Sequence, residues 1–257
     1  ATQVVVFDTA FHQTMPEKAF RYAIPTSYYK EYGIRVYGFH GTSHKYVSEQ
    51  ALTYLNNPTA KVITIHLGNG CSMAAVNAGK CIDTSMGLGP LDGLIMGTRS
   101  GNIDASVVFH LVSHLGYDIE QVSNLFNKRS GMLGLTGFSD MRDITKSIEE
   151  GNESAILAYD MYAYRIKKFI GSYTAALGGL DAIVFTAGVG ENDAKTREMV
   201  CQDMEFFGIK IDSDKNKIRA NGIREINTPD ARTKVLIIPT NEELEIANQC
   251  ISLLNPA

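Results

Sequence analysis

Long apolar runs, paired cysteines and basic clusters are all missing from this 257-residue sequence, and each absence narrows what the chain can be. No stretch approaches the roughly 18 apolar residues of a membrane span, so no membrane partner is expected. The four cysteines, Cys71, Cys81, Cys201 and Cys250, form no Cys-x-x-Cys pair. That argues against a zinc site or a disulfide scaffold and for reduced thiols in a cytoplasmic protein. Lysine and arginine number 24 against 28 acidic residues, a net charge of -4, with no basic block or tail. Nucleic acid is therefore not expected as a partner, and small-molecule chemistry is. The first residues have neither the basic region nor the apolar core of a secretory signal. Ala1 is not a methionine, and Val4-Val5-Val6-Phe7 already reads as a strand, so the sequence is expected to start inside a larger protein.

What is present is enough for a proper core, since 44% of the residues are hydrophobic. Strand-like runs near 3–7, 34–39, 61–66, 71–77, 80–83, 182–186 and 234–238 alternate with helical patterns. The helices are expected near 43–55, 104–115, 118–127, 140–149, 153–177, 193–206 and 241–254. Such alternation predicts an α/β fold with a mostly parallel sheet. Residues 61–83 break the rule, because three short strands follow one another across Gly68-Asn69-Gly70 and Asn77-Ala78-Gly79, as in an antiparallel meander. The helix from Asn152 to Leu177 starts on a capping pattern and ends at Gly178-Gly179. Its Ile156, Tyr159, Tyr162, Ala163, Ile166, Phe169, Ile170 and Tyr173 recur at helical spacing, which suits a central core helix or a tyrosine-rich dimer face.

Two apolar runs end abruptly in a Gly-x-Gly segment: Val62 to Leu67 before Gly68-Asn69-Gly70, and Ala182 to Ala187 before Gly188-Val189-Gly190-Glu191-Asn192. Glycines at a strand end let backbone N–H groups approach an anion, the usual way to hold phosphate. Asn-Gly between apolar residues is equally a hairpin signal of type I′, which needs positive φ at both central positions. The second segment precedes a helix, as a mononucleotide site requires, but lacks the third glycine of a dinucleotide fingerprint.

Other positions admit two readings in the same way. His40, after the run Ile34 to Tyr37, is placed either to donate to a ligand or to pack beside an N-cap made by Thr42 or Ser43. His44 lies inside the following helix and suits packing. Arg99, between Gly97 and Gly101, is either a phosphoryl-binding fork or a surface arginine. Asp8 is a metal-binding or orienting carboxylate at a strand end, or a turn former. Glu242 and Glu243 are metal carboxylates, or favourable charges at a helix N-terminus.

Taken together these segments are more specific. Phe7-Asp8-Thr9-Ala10-Phe11-His12, Phe39-His40-Gly41-Thr42-Ser43-His44, His66-Leu67-Gly68-Asn69-Gly70, Asp83-Thr84-Ser85-Met86-Gly87, Met96-Gly97-Thr98-Arg99-Ser100-Gly101, Thr186 to Asn192 and Pro239-Thr240-Asn241-Glu242-Glu243 run in one order along the chain. That set closely resembles the acetate kinase family. The resemblance implies an actin-like ATPase fold, ribonuclease H-like, with a mixed β-sheet flanked by helices. It implies reversible phosphoryl transfer from ATP to acetate, giving acetyl phosphate and ADP, with Mg²⁺ or alternatively Mn²⁺. By that likeness Asp8 is the essential carboxylate, while His40 and Arg99 stabilise the phosphoryl group in transit. His66, Leu67, Gly68, Asn69 and Gly70 would form a phosphate loop. Asp140, Met141 and Arg142 would lie by the adenosine, Gly188, Val189, Gly190, Glu191 and Asn192 would border the nucleotide, and Glu242 would hold metal. Phe39 and Pro90 match residues of the pocket for the acetate methyl.

The resemblance further implies a homodimer through this region, and an amino-terminal domain ahead of residue 1 that completes the site. Residues 1–257 then read as the carboxy-terminal nucleotide-binding domain, inactive or weakly active alone. The alternatives are a propionate or butyrate kinase, and a noncatalytic actin-like nucleotide-binding module.

Overall fold

A computed structural model of the chain describes residues 3–254. Its centre is a six-stranded mixed sheet of β1 (Lys61–Leu67), β2 (Cys71–Asn77), β3 (Lys80–Thr84), β4 (Ala182–Thr186), β5 (Arg224–Glu225) and β6 (Lys234–Ile237). The spatial order is β3-β2-β1-β4-β6-β5. β1, β4 and β6 are parallel neighbours, with Val62 opposite Ala182 and Ala182 opposite Lys234. β2 runs antiparallel to β1, β3 antiparallel to β2, and β5 antiparallel to β6. The meander over 61–83 follows the sequence expectation, as does the mixed sheet, but with two parallel pairings against three antiparallel the sheet is not mostly parallel: the meander and the short β5 outnumber the crossover pairs.

Twelve α-helices surround the sheet among the described residues. They are α1 (Glu17–Phe20), α2 (Thr26–Tyr32), α3 (Gly41–Leu55), α4 (Ala105–Leu115), α5 (Ile119–Lys128), α6 (Gly131–Thr136), α7 (Met141–Glu149), α8 (Glu153–Leu177), α9 (Ala187–Asn192), α10 (Ala194–Cys201), α11 (Ser213–Lys217) and α12 (Glu242–Leu254). Alternation along the strands decides which face each residue serves. Ile63, Ile65, Leu67, Ile183, Phe185, Val235 and Ile237 join α8 in the larger core, whereas Val62, Ala182, Val184 and Leu236 pack with Val47 and Ala51 of α3. Every residue of β4 is buried, as befits a central strand covered on both sides.

Helix α8 is the core helix that its spacing predicts. Asn152 caps it by accepting from the Ala155 N–H, and Gly178 closes it in the left-handed region at φ 63°. Tyr159, Tyr162 and Tyr173 are buried in the core, so these three tyrosines serve packing within the chain; Ile156 is the member of the predicted stripe that points outward.

Two expected strands are absent. Residues 3–7 are irregular and end in a turn, with Val5 69% and Phe7 67% exposed, and no strand of the described residues lies beside them. Residues 34–39 likewise make isolated bonds, Val36 N–H to the Phe20 carbonyl at the end of α1 and Tyr37 N–H to the Gly87 carbonyl in a loop, instead of a ladder. Alternating apolar residues give a segment a strand's pattern, but only a neighbouring edge gives it a strand's hydrogen bonds. The single helix expected over 193–206 is α10 followed by a 3₁₀ turn at Glu205–Phe207.

The Gly68-Asn69-Gly70 segment does join β1 to β2 as a hairpin, with Leu67 opposite Cys71, but its turn is not of type I′. None of Gly68, Asn69 or Gly70 has positive φ; the two-residue loop with positive φ at both positions is Ala78-Gly79, at 49° and 75°, between the paired Asn77 and Lys80. An alanine in the left-handed region carries a steric cost of about 1 kcal/mol. Ala78→Asn, which supplies the residue that such turns prefer, is expected to raise stability by about 0.5–1 kcal/mol. A higher urea midpoint at unchanged m-value would show it.

Candidate active site

Parallel strands bring their carboxyl ends to one edge of the sheet, the usual place for a ligand crevice. Here that edge carries Gly68–Gly70 after β1, α9 after β4, and Thr240 with α12 after β6. A cavity of about 810 Å³ opens beside it. Of the residues predicted to contact nucleotide, Gly68, Asn69, Asp140, Met141, Arg142, Gly188, Val189 and Asn192 line this cavity, while His66, Leu67, Gly70, Gly190 and Glu191 do not. Leu67 is fully buried in the core. Glu191 turns away to accept from the N–H groups of Ala187, at 2.9 Å, and Thr240, at 3.3 Å, tying the ends of β4 and β6 together.

The glycines act differently from the sequence expectation. Gly188 and Gly190 do not form a loop; they lie within α9, and the left-handed residue ahead of them is Ala187, at φ 65°. A side chain at Gly188 would meet nothing within 4 Å, so this position leaves cavity space open. Gly70 has the opposite reason. A Cβ there would lie 2.9 Å from Arg99 Nη2 and 3.2 Å from His40 Nε2. The absent side chain is what lets the guanidinium and the imidazole meet over the end of β1.

Asp8 completes this second cluster. Its carboxylate accepts from the His40 N–H at 2.6 Å and the Thr42 N–H at 3.4 Å, and its carbonyl accepts from the Gly41 N–H at 2.8 Å. The first turn of α3 is therefore capped from across the chain by Asp8, not by Thr42 or Ser43, and His40 is held in the left-handed region at φ 56°. Arg99 donates to the Pro90 carbonyl, and Phe39, half-buried, packs against the core just ahead of His40 while its carbonyl accepts from His12 Nε2. Asp8, His40, Arg99, Phe39 and Pro90, distant in sequence, thus belong to one neighbourhood. Asp140 is the N-cap of α7, accepting from the Arg142 N–H and side chain, which holds its carboxyl down at about 2.

Four histidines gather beneath the cluster. His40 and His66 stack with ring centroids 4.3 Å apart, and His44 lies 5.8 Å from His12 and 6.2 Å from His66. Burial disfavours the imidazolium in each. It pushes His12 down to about 4 and His66 to about 3, and also lowers His44, well below the ordinary value, and His40. For His40 the nearby Asp8 works against burial, and Arg99 works with it. Hydroxyls serve these rings, and of them Ser72 carried no signal in the sequence pattern. Thr240 donates to Ser43, which is 2.9 Å from His66 Nδ1, and Ser72 sits between His40 and His44.

A model of the acetokinase family matches residues 1–248 of the chain. The chain belongs to the acetokinase family. It is 60% identical to the acetate kinase of Flavobacterium johnsoniae over 254 residues, covering 99% of this chain and 64% of that protein. The crystal structure of Porphyromonas gingivalis acetate kinase superimposes with a TM-score of 0.94 at 49% identity, covering 97% of this chain and 63% of the other. A propionate kinase structure from Francisella tularensis gives 0.90 at 48% identity, covering 95% of this chain and 62% of that one. The chain therefore spans a little under two thirds of the length of the relatives it matches.

For an acetokinase-family chain the question of a divalent cation arises at once. Among the described residues no group of three or more His, Cys, Asp and Glu forms a cage. Glu242 is half-buried at the start of α12, and burial together with the charge of Asp8 pushes its carboxyl up, whereas Glu243 is exposed. Two mutually repelling carboxylates at a crevice suit a cation of the magnesium type, which takes one or two carboxylates and completes its shell with phosphate and water. The cavity also contains residues that the sequence reading passed over: Thr145, Lys146 and Glu149 on α7, Tyr162 and Cys71 at the floor, and Arg219. Lys146 and Glu149 follow Arg142 on the same helix, and their spacing alone could have implicated them.

The buried histidines make the fold sensitive to acid. Their folded-state values lie below the ordinary 6.5, so the unfolded chain binds protons first as pH falls. Stability is expected to be full above about pH 6.5 and to fall from there to about pH 4 for His12 and about pH 3 for His66, by up to about 1.4 kcal/mol per pH unit for each ring. Urea midpoints measured across that range check it, and a midpoint that does not move would count against neutral buried rings.

Proposed function

We propose that this chain is the nucleotide-binding part of an acetate kinase. The reaction is reversible transfer of the γ-phosphoryl group of ATP to acetate, giving acetyl phosphate and ADP. The observation that carries the reading is the meeting of Arg99 and His40 at Gly70, with Asp8 holding the His40 backbone, beside a cavity large enough for a nucleotide. A noncatalytic nucleotide-binding module has no need of a guanidinium and an imidazole converging on one point.

In this reading ADP or ATP fills the cavity between α7 and α9, with its phosphates toward Gly68 and Asn69. An acetate oxygen attacks the γ-phosphorus as the bond to the bridging oxygen of ADP breaks. Such a transition state needs alignment and charge neutralisation more than covalent help. The Arg99 fork and the His40 ring meet the equatorial oxygens, while Phe39 and Pro90 flank the acetate methyl. Asp8 anchors the backbone of His40 and, with Glu242, faces the metal position. Bound Mg²⁺, or Mn²⁺, would neutralise charge between the phosphoryl groups. We read residues 1–257 as one carboxy-terminal domain that acts in the cytoplasm as part of a homodimer, together with the further length that its relatives possess. No helix of the described residues is long and apolar enough to cross a membrane.

Propionate is the second reading, supported by the 48% identity to a propionate kinase of known structure. One methylene separates the acids and is worth only about 1–3 kcal/mol of discrimination. The relative kcat/KM for acetate, propionate and butyrate in the full-length protein decides among them.

Titration of this chain with ADP and Mg²⁺ is expected to show weak binding, with acetyl phosphate formation appearing only when the remaining third of the protein is supplied. Full activity of the chain alone would overturn the two-part reading. In the full-length protein, Arg99→Ala is expected to slow phosphoryl transfer by about 10²–10³-fold, the usual effect of deleting one transition-state donor. ADP affinity should hold within a few-fold, because the cavity is lined by other residues. Unchanged transfer in that variant would favour the noncatalytic module.

A further inference from the structure

Behind His40 runs a line of buried hydrogen bonds that phosphoryl transfer does not by itself require. His40 Nδ1 is 2.8 Å from Ser72 Oγ, the same oxygen is 2.7 Å from His44 Nε2, and His44 Nδ1 is 2.7 Å from Thr64 Oγ1. Ser72, His44 and Thr64 are each 0% exposed, so bulk solvent does not reach them. Burial also keeps the imidazoles neutral, His44 most of all. A neutral ring has one N–H and one lone pair, and each hydroxyl has one hydrogen.

These counts leave two complete arrangements. In one, Thr64 donates to His44 Nδ1, the His44 Nε2–H donates to Ser72, Ser72 donates to His40 Nδ1, and His40 bears its hydrogen on Nε2. In the other every bond is reversed, both rings carry hydrogen on Nδ1, and the Thr64 hydroxyl is left with the Ala74 carbonyl at 3.4 Å. Any mixture sets two N–H groups, or two lone pairs, against Ser72 and strands a buried polar group. The first arrangement places every hydrogen on a bond of 2.8 Å or less. It also turns the His40 Nε2–H toward Gly70 and Arg99, where an anionic oxygen would accept it.

We propose that Thr64, His44 and Ser72 fix His40 in the tautomer protonated at Nε2, so that His44 is a positioning residue for the phosphoryl-binding histidine and not merely a packed core ring. The oxygen that His40 meets rests on the function proposed above; the shared tautomer of the two rings is a property of the folded chain alone. No proton enters or leaves.

Two-bond ¹H–¹⁵N correlation spectra of the uniformly ¹⁵N-labelled chain near pH 7 test this without any assay of catalysis. His40 and His44 are both expected as single neutral tautomers protonated at Nε2. Either ring protonated at Nδ1, or found as the imidazolium, overturns the relay. In Ser72→Ala, His40 should lose its single tautomer and show both forms, whereas Ser72→Thr should restore the Nε2–H form. An unmixed Nε2–H His40 in Ser72→Ala would show that something else fixes the ring. Should Ser72→Ala fail to fold, the wild-type spectrum and Ser72→Thr still decide the matter. Absence of acetate phosphorylation in the full-length protein would overturn the function and leave these spectra unchanged.

Discussion

Strand β1 is hydrogen-bonded along both edges, antiparallel to β2 and parallel to β4, and the site is laid out by that double pairing. The antiparallel edge brings Ser72 opposite His66, and the parallel edge brings Thr186 opposite His66 from the other side. A slip of one residue at either edge would turn the polar row Thr64, His66 and Ser72 toward the apolar core and carry Ile65 and Met73 toward α3. Ile63, Ile65 and Leu67 are all fully buried on the α8 side, and they hold the register by the area they remove from water. The polar chemistry at the strand ends is thus anchored by apolar packing in the strand bodies.

Much of this was legible in the sequence where a signal was long or local. Continuous apolar runs marked β1, β4 and β6, and capping residues with 3.6-residue spacing marked α8. Residues 3–7 and 34–39 misled because alternation records which way side chains point and carries no information about a neighbouring edge. Short helices such as α2, α6 and α11 hold too few turns for periodicity to register.

Site legibility divides along the same line. Asp8, His40 and Arg99 stood beside glycines and strand ends, and the fold brings them together. The type I′ reading of Gly68-Asn69-Gly70 is the part that fails: Gly70 and Gly188 serve by leaving space, and positive φ falls instead at residues such as His40, Ala78 and Ala187. Ser72 and Thr64 were invisible because a hydroxyl on a buried strand differs little in pattern from the small residues around it. Their meaning lies in partners 20 and more residues away.

Ala187 has a wider consequence. An alanine at φ 65° holds that shape only while its surroundings insist on it, and the Glu191 carboxylate supplies that insistence by gripping the Ala187 and Thr240 N–H groups together. The bend, helix α9 and the exit from β6 consequently behave as a single cooperative joint. One wall of the cavity and the approach to Glu242 keep or lose their shape together, because a small stored strain and one carboxylate govern both.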